Sequence, residues 1–342
     1  MVDLTRRNAL AGMVAASLSA RVAAAPVAAA SVADEGFVTV GGIEQWVSVR
    51  GSNAQAPLML YLHGGPGEAM SPFQDLFAPY ERDFLVALWD QRGAGKTYGR
   101  SGRDSTPNMT QEQFIRDGID LSELLRKRWN KRKILLVGQS WGAAMSIQMA
   151  KRRPDLFHAN VGTGQPVSRK LTELAQERHA RKLLMAKGDK AGLEALNAAA
   201  KLPLDDPKRR FATRKFDIGA EDQKFLSRED RFVGPKPWPK TGEVADWVGG
   251  YSFTSDTLVP RLLREPDVVD LAGYNFALPI VVIQGKDDYI CPTEVARQYV
   301  AKLHAPAKAF VEIDGGHFAC LTNPTAFLAA LRRHVSARIA LA

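Results

Sequence analysis

Gly138-Gln139-Ser140-Trp141-Gly142 stands between an apolar run, Ile134-Leu135-Leu136-Val137, and a segment of helical composition, Ala143-Ala144-Met145-Ser146-Ile147-Gln148-Met149-Ala150. Strand, G-x-S-x-G, helix is the arrangement of a nucleophile elbow. A serine in that context occupies the tip of a tight, strained turn. The flanking glycines let the backbone make the turn without a Cβ clash. Its hydroxyl is exposed at the C-terminal edge of a sheet, beside the positive end of a helix. G-x-S-x-G alone recurs by chance; the buried-type strand before it and the helix after it give it weight.

On the N-terminal side, Phe37–Val40 and Ile43–Val49 flank Gly41-Gly42 and read as a β-hairpin. Pro57–Leu62 and Phe84–Trp89 are continuous apolar runs, as in strands covered on both faces. The first ends in His63-Gly64-Gly65-Pro66-Gly67, the second in Asp90-Gln91-Arg92-Gly93-Ala94-Gly95. Thr110–Trp129 has helical spacing, with Thr110 and Gln113 placed for a capping box. On the C-terminal side, Ala159–Gly164 is a short strand. From Gln165 to Leu278 no clean buried strand occurs; the charged amphipathic segments 171–187 and 190–200 and the Pro/Trp-rich stretch Gly234–Pro239 suggest a mostly helical insertion. Alternation then resumes with strand Pro279–Gly285, helix Thr293–Leu303, strand Ala309–Ile313 and helix Pro324–Ile339. Alternating helices and buried strands predict an α/β fold with a doubly wound, mostly parallel sheet, its motif-bearing loops on one edge. The expected organisation is a core of two parts, 34–164 and 279–342, with a helical cap over 165–278.

Three strand ends carry acid–base chemistry, in the order Ser140, Asp288, His317. A serine needs a base to act as a nucleophile at neutral pH, and histidine is suited to that. The histidine needs a buried carboxylate to fix its tautomer and stabilise the imidazolium. Asp288 follows the strand ending at Gly285; Asp287 is its rival, with the Gly-x-x-Asp spacing favouring Asp288. His317 follows Asp314-Gly315-Gly316, a glycine loop that lets the ring reach the elbow. An oxyanion needs two backbone N–H donors. Trp141, the residue after the nucleophile, supplies one. Pro66 has no N–H, so Gly65 is the choice for the second donor, with Gly64 as the fallback. Trp141, His63 and Pro66 are expected in the substrate pocket wall, with the glycine-rich context of His63 indicating loop shaping rather than catalysis.

His63-Gly64-Gly65-Pro66-Gly67, Asp90-Gln91-Arg92-Gly93-x-Gly95, Gly138-Gln139-Ser140-Trp141-Gly142 and Gly285-x-x-Asp288-x-x-Cys291-Pro292 together resemble the proline iminopeptidase family of α/β-hydrolases. The order Ser…Asp…His is that of the same fold. The resemblance covers the core on both sides of the insertion. It implies an α/β-hydrolase core with a helical cap, no metal or cofactor, and attack by Ser140 on an acyl carbon. It also implies an aminopeptidase that releases N-terminal residues, often proline, from short peptides, with cap glutamates holding the substrate's α-ammonium. Glu173, Glu177, Glu194, Glu221, Glu229, Glu243 and Glu265 are the acidic candidates, and no motif selects among them. Gly99-Arg100-Ser101 departs from the loop the resemblance implies after Gly95. A carboxylesterase or lactonase acting on a small ester is the alternative; a catalytically inactive binding module is the remote one.

With 45% hydrophobic and 24% charged residues the chain has globular composition. Its formal net charge of +9 is spread without a Lys/Arg block interleaved with aromatics, so a solvated basic surface is expected rather than nucleic-acid binding. Gly95-Lys96-Thr97 imitates the end of a P-loop, but Asp90 stands where that motif requires glycine, which argues against nucleotide binding. Residues 1–33 resemble a twin-arginine export signal: Arg6-Arg7, a mildly apolar run to Ala20, Arg21, and small-residue cleavage sites after Ala25, Ala30 or Ala33. The run is shorter than the ~20 residues of a spanning helix, so an exported, periplasmic protein without a stable membrane anchor is expected. Cys291 and Cys320 lie three residues past Asp288 and His317. Either they are separate buried thiols, the favoured reading, or they form a disulfide bracing that pair.

Overall fold

The structure is a computed structural model and describes residues 30–104, 106–204, 206–214, 216, 222–223 and 241–336. The twin-arginine segment, Glu221, Glu229 and the Gly234–Pro239 stretch lie outside the described residues. Eight strands form one sheet: β1 (Val32–Val40), β2 (Ile43–Gly51), β3 (Leu58–Leu62), β4 (Leu85–Asp90), β5 (Ile134–Gln139), β6 (Phe157–Thr163), β7 (Ile280–Gly285) and β8 (Lys308–Ile313). Their order is β1-β2-β4-β3-β5-β6-β7-β8. β1 pairs antiparallel with β2 and β2 antiparallel with β4; every later pairing is parallel. This is the α/β architecture with a mostly parallel sheet that the alternation predicts.

The apolar runs explain the middle of the sheet. Every residue of β3, β4, β5 and β7 is buried. Successive side chains point to opposite faces, so each strand feeds two cores. Leu58, Leu60 and Leu62 pack on one face with Phe114, Ile115, Leu121, Met145 and Ile147. Met59 and Tyr61 pack on the other with Phe73, Phe77, Phe318 and Phe327. The first face is covered by helices Gln111–Arg128, Trp141–Arg152 and Thr293–Lys302; the second by the Ser71–Phe77 turn and the helix Pro324–Leu331.

β1 starts at Val32, two residues inside the segment expected to be removed on export. Val32 and Ala33 pair with Gly51 and Arg50. Cleavage after Ala25 or Ala30 leaves this strand whole, whereas cleavage after Ala33 takes away its first two rungs.

Between β6 and β7 the described chain is helical: Arg169–Lys187, Lys190–Ala199, Pro207–Arg214, Thr241–Thr257, Val259–Leu262 and Val268–Ala272. Ser168 caps the first helix by accepting the Leu171 N–H, and Gly188, in the left-handed conformation, ends it. Ala180, Leu184 and Leu196 form a small core of their own. Hydrogen bonds seat this insertion over the C-terminal edge of the sheet. Trp247 Nε1 donates to Ala69 O at 2.9 Å, Thr254 Oγ1 donates to Gly93 O at 2.8 Å, and Gln176 Nε2 donates to Tyr289 O at 3.1 Å. Among the described residues no helix is long and apolar enough to cross a membrane.

Candidate active site

The strand order reverses at β3, which lies between β4 and β5. In open α/β sheets such a reversal opens a crevice beyond the strand C-termini. Leu62 of β3 is in register with Gly138 of β5, so the loop after β3 and the elbow after β5 emerge side by side. Ser140 has φ 54° and ψ −118°, a region that a residue with a Cβ rarely enters. The surrounding packing holds it there. A Cβ on Gly142 would lie 2.0 Å from Leu62 O, and one on Gly138 would lie 2.3 Å from Gly142 O. Both elbow glycines are therefore required by close backbone approach. Trp141 is the first residue of the following helix, so its N–H is one of the donors that a helix leaves without an internal acceptor.

His317 and Asp288 come to the same edge from β8 and β7. His317 Nδ1 lies 3.1 Å and 3.0 Å from the two oxygens of Asp288. Both residues are buried, at 4% and 1% exposure, whereas Asp287 is exposed. The Asp288 carboxylate also accepts from Ile290 N (3.0 Å), Cys291 N (2.8 Å) and Gln284 Nε2 (2.8 Å). Burial works against a charged His317, but the charge of Asp288 and its hydrogen bond more than offset this, with Asp222 adding to them. The net effect raises the imidazole above its ordinary value.

Asp222 escaped sequence reasoning, which considered only the glutamates of the insertion. It is fully buried, and its oxygens accept the backbone N–H groups of His317 (2.6 Å) and Phe318 (3.1 Å). An isolated aspartate in a polar stretch carries no periodicity or motif that could have singled it out.

His63 corrects an expectation. It does not line the cavity at Ser140; it is 1% exposed and packed beneath the loop. Its Nδ1–H donates to Gly64 O at 2.9 Å, and its Nε2 accepts from Gln91 N at 3.3 Å. Burial lowers its pKa to about 4, so the ring is neutral, as this pattern of one donor and one acceptor requires. Because the C=O and N–H of a trans peptide point in opposite directions, anchoring the Gly64 carbonyl turns the Gly65 N–H away from His63. Gln91 completes the link to the elbow: its Nε2 donates to His63 O (3.2 Å), and its Oε1 accepts from Trp141 Nε1 (2.9 Å).

A cavity of about 480 Å³ opens at Ser140. Gly65, Pro66, Trp141 and Cys291 line it from the sheet side. Val167, Leu262, Leu263 and Val268 from the insertion make its far wall largely apolar, and Arg169 and Asp267 line it as well. These two pair at 3.0 Å, and Arg169 also donates to Leu262 O and Glu265 O. None of the five described cap glutamates lines the cavity. Glu173 and Glu177 face Arg209, Glu243 pairs with Lys96, Glu194 is exposed, and Glu265 sits outside the lining. Cys291 and Cys320 are both free thiols. Cys320 is buried against Tyr61, and its thiol is pushed up to about 12 by burial.

The α/β-hydrolase fold family model matches residues 57–324, most of the chain. The chain belongs to that family. Curated α/β-hydrolase relatives include "Probable aminopeptidase YbaC" of Bacillus subtilis, 28% identical over 306 residues that span 87% of this chain and 94% of the relative. The proline iminopeptidase of Clostridioides difficile is 31% identical over 266 residues, spanning 72% and 84%. These relatives place the hydrolase in a proline iminopeptidase-like branch. The crystal structure of the Mycobacterium smegmatis proline iminopeptidase has the same fold, with a TM-score of 0.60 at 21% identity over 90% of this chain and 99% of that one.

Proposed function

We propose that this hydrolase is a serine hydrolase working through an acyl-enzyme. Ser140 attacks the acyl carbon. His317 takes the serine proton as base and returns it to the leaving group as acid. Asp288 orients His317 and stabilises its protonated form, and the N–H groups of Trp141 and Gly65 hold the oxyanion. The observation that carries this reading is the His317–Asp288 bond on the same sheet edge as a serine with φ 54°, at the mouth of a cavity. With Nδ1–H committed to Asp288, a neutral His317 has Nε2 as its basic nitrogen. Labelling with a fluorophosphonate probe tests this directly. A folded chain that takes up no label at Ser140 would refute it.

The acid limb of the activity gives a second check. The base must be neutral to act, and the folded-state pKa of His317 is raised. Activity is therefore expected to fall as pH drops through a value above the ordinary ~6.5 of histidine. The stability linkage has the opposite sense. The His317–Asp288 attraction stabilises the fold fully below the unfolded histidine pKa, and that contribution fades as pH rises through the raised folded value. A kcat/KM profile with its acid inflection well below 6.5 would contradict this assignment.

For the substrate, the naming of the relatives supports an aminopeptidase of the proline iminopeptidase type, which releases N-terminal residues from short peptides. One observation favours a second reading, a carboxylesterase or lactonase. The described wall at Ser140 is largely apolar, and its carboxylate, Asp267, is already paired with Arg169. Turnover of Pro-naphthylamide beside aryl esters separates the two. Release of naphthylamine from the proline substrate is expected for the first; ester cleavage without it decides for the second.

We further propose export to the periplasm through the Arg6-Arg7 signal, supported by the residues of that segment. Arg6→Lys with Arg7→Lys is expected to leave the full-length chain in the cytoplasm. Unimpaired export of that variant would discard the twin-arginine route.

A further inference from the structure

The loop that carries His317 is rich in glycine. It runs from the end of β8 at Ile313 to a single helical turn, Ala319–Thr322, and contains Gly315 and Gly316 in succession. Its glycines lie close against the sheet edge: Asp287 N donates to Gly315 O at 3.0 Å, and Gly316 O approaches Gly285 so nearly that a Cβ there would lie 2.0 Å from it. The next two N–H groups, of His317 and Phe318, point the other way, into the insertion. Both are received by one carboxylate, Asp222, at 2.6 Å and 3.1 Å.

The fit around that carboxylate is close. A Cβ on Gly316 would lie 2.2 Å from Asp222 Oδ2 and 2.5 Å from its Cγ. Glycine at 316 is thus required by the approach of Asp222. On the far side of the ring, a Cβ on Gly164 would lie 2.7 Å from His317 Cε1. The imidazole is consequently bounded by Gly164, held at Nδ1 by Asp288, and fixed at its backbone origin by Asp222. A fully buried aspartate is an expensive way to satisfy two amides, and burial pushes its own pKa upward against the two N–H donors. A polar uncharged side chain could accept the same bonds at lower desolvation cost. What the carboxylate adds is a negative charge near a ring that must become an imidazolium.

We propose that Asp222 is a positioning residue for the reaction. A carboxylate from the β6–β7 insertion locks the backbone of His317, so the base is held from the substrate-covering side as well as from the sheet. This inference rests on the reading of His317 as the base of Ser140. It ties catalytic competence to the seating of the insertion.

The charges that act on His317 come from three elements: Asp288 after β7, Asp222 in the insertion, and Glu68 in the loop after β3. Removing the charge of Asp222 leaves the other two and lowers the basicity of the ring. The test is the rate of fluorophosphonate labelling of Ser140 as a function of pH in wild type, Asp222→Asn, Asp222→Ala, Gly316→Ala and the Gly316→Ala/Asp222→Ala pair. Asp222→Asn is expected to label roughly 10- to 100-fold more slowly, as for loss of a charged hydrogen-bond partner. Its acid limb is expected to move to lower pH, as for loss of a nearby opposite charge. A merely structural acceptor would slow the rate or lower the melting point without moving that limb.

Gly316→Ala provides the arm that does not depend on Asp222→Asn folding. It is expected to slow labelling in the wild-type background and to have little further effect once Asp222 is alanine. Unchanged rate and limb in a folded Asp222→Asn, or fully additive losses in the pair, would overturn the inference while leaving the hydrolase reading intact. Wild-type protein that takes up no label at Ser140 at any pH overturns the hydrolase reading, and this inference with it.

Discussion

Ser140→Ala is expected to lower kcat by about five to six orders of magnitude, the scale seen when a nucleophile is removed from a cooperating Ser-His-Asp set. The size of the effect follows from the division of labour at the site. In the proposed mechanism His317 and Asp288 act only through the serine hydroxyl, so removing it silences all three at once. The Trp141 and Gly65 N–H groups remain, and with substrate binding they sustain a residual rate over water. The fold should not suffer, because alanine keeps the Cβ and Ser140 N still donates to Thr163 O at 2.9 Å. Ser140→Gly separates chemistry from strain. The left-handed backbone at φ 54° costs a residue with a Cβ roughly 1–3 kcal/mol. Glycine escapes that penalty while losing about 0.4–1 kcal/mol through its freer unfolded chain. Ser140→Gly is therefore expected to be inactive and to melt no lower than Ser140→Ala. Thermal melts beside initial-rate assays check both. Substantial turnover in Ser140→Ala would exclude Ser140 as the nucleophile.

The parts of this site that could be read from sequence share one property: a local pattern forces them. The runs at 57–62, 84–89, 134–137 and 279–285 are apolar without alternation because both faces of a parallel sheet are covered, and each is a buried strand. The glycines of the elbow are obligatory, so they mark Ser140. Thr110 accepts the Gln113 N–H as its capping position predicts, although the Gln113 side chain turns to Asp117 instead of closing the box. The parts that could not be read depend on long-range partners. The expected place of His63 in the pocket wall failed because a histidine next to a glycine loop can face either side of it. Buried neutrality and the bond to Gly64 O decide for the inside. The helix Gly95–Ser101 went unread because its start imitates a phosphate loop and its N-terminal N–H, on Lys96, is satisfied by Asp90 at 2.9 Å, five residues upstream of the first helical residue. Asp222 is meaningful only through the two amides that it meets from 95 and 96 positions away.

Asp117→Ala is expected to destabilise the chain by about 3–5 kcal/mol, the cost of leaving a buried charge without its partner. Arg92 and Asp117 have no exposed side-chain surface, and their closest contact is 2.9 Å. Asp117 also accepts from Gln45 Nε2 at 2.9 Å and Gln113 Nε2 at 2.7 Å. Arg92 in turn donates to Gly41 O in the β1–β2 turn and to Pro107 O. Removing the carboxylate therefore strands a guanidinium and two amides at the junction of the hairpin, the loop after β4 and the helix Gln111–Arg128. An arginine cannot escape by deprotonating, so the cost appears as lost stability. For a chain of this size it corresponds to a melting temperature lower by roughly 5–8 °C. The effect should reach the site, because Arg92 is covalently next to Gln91, whose side chain joins His63 to Trp141. Replacing both charges together, Arg92→Met with Asp117→Leu, removes the stranded group and is expected to recover much of the stability, while losing the anchors at Gly41 and Pro107. Calorimetric melts of the single and double variants decide the matter. A double variant no more stable than Asp117→Ala would show that these anchors, rather than the unpaired charge, dominate the loss.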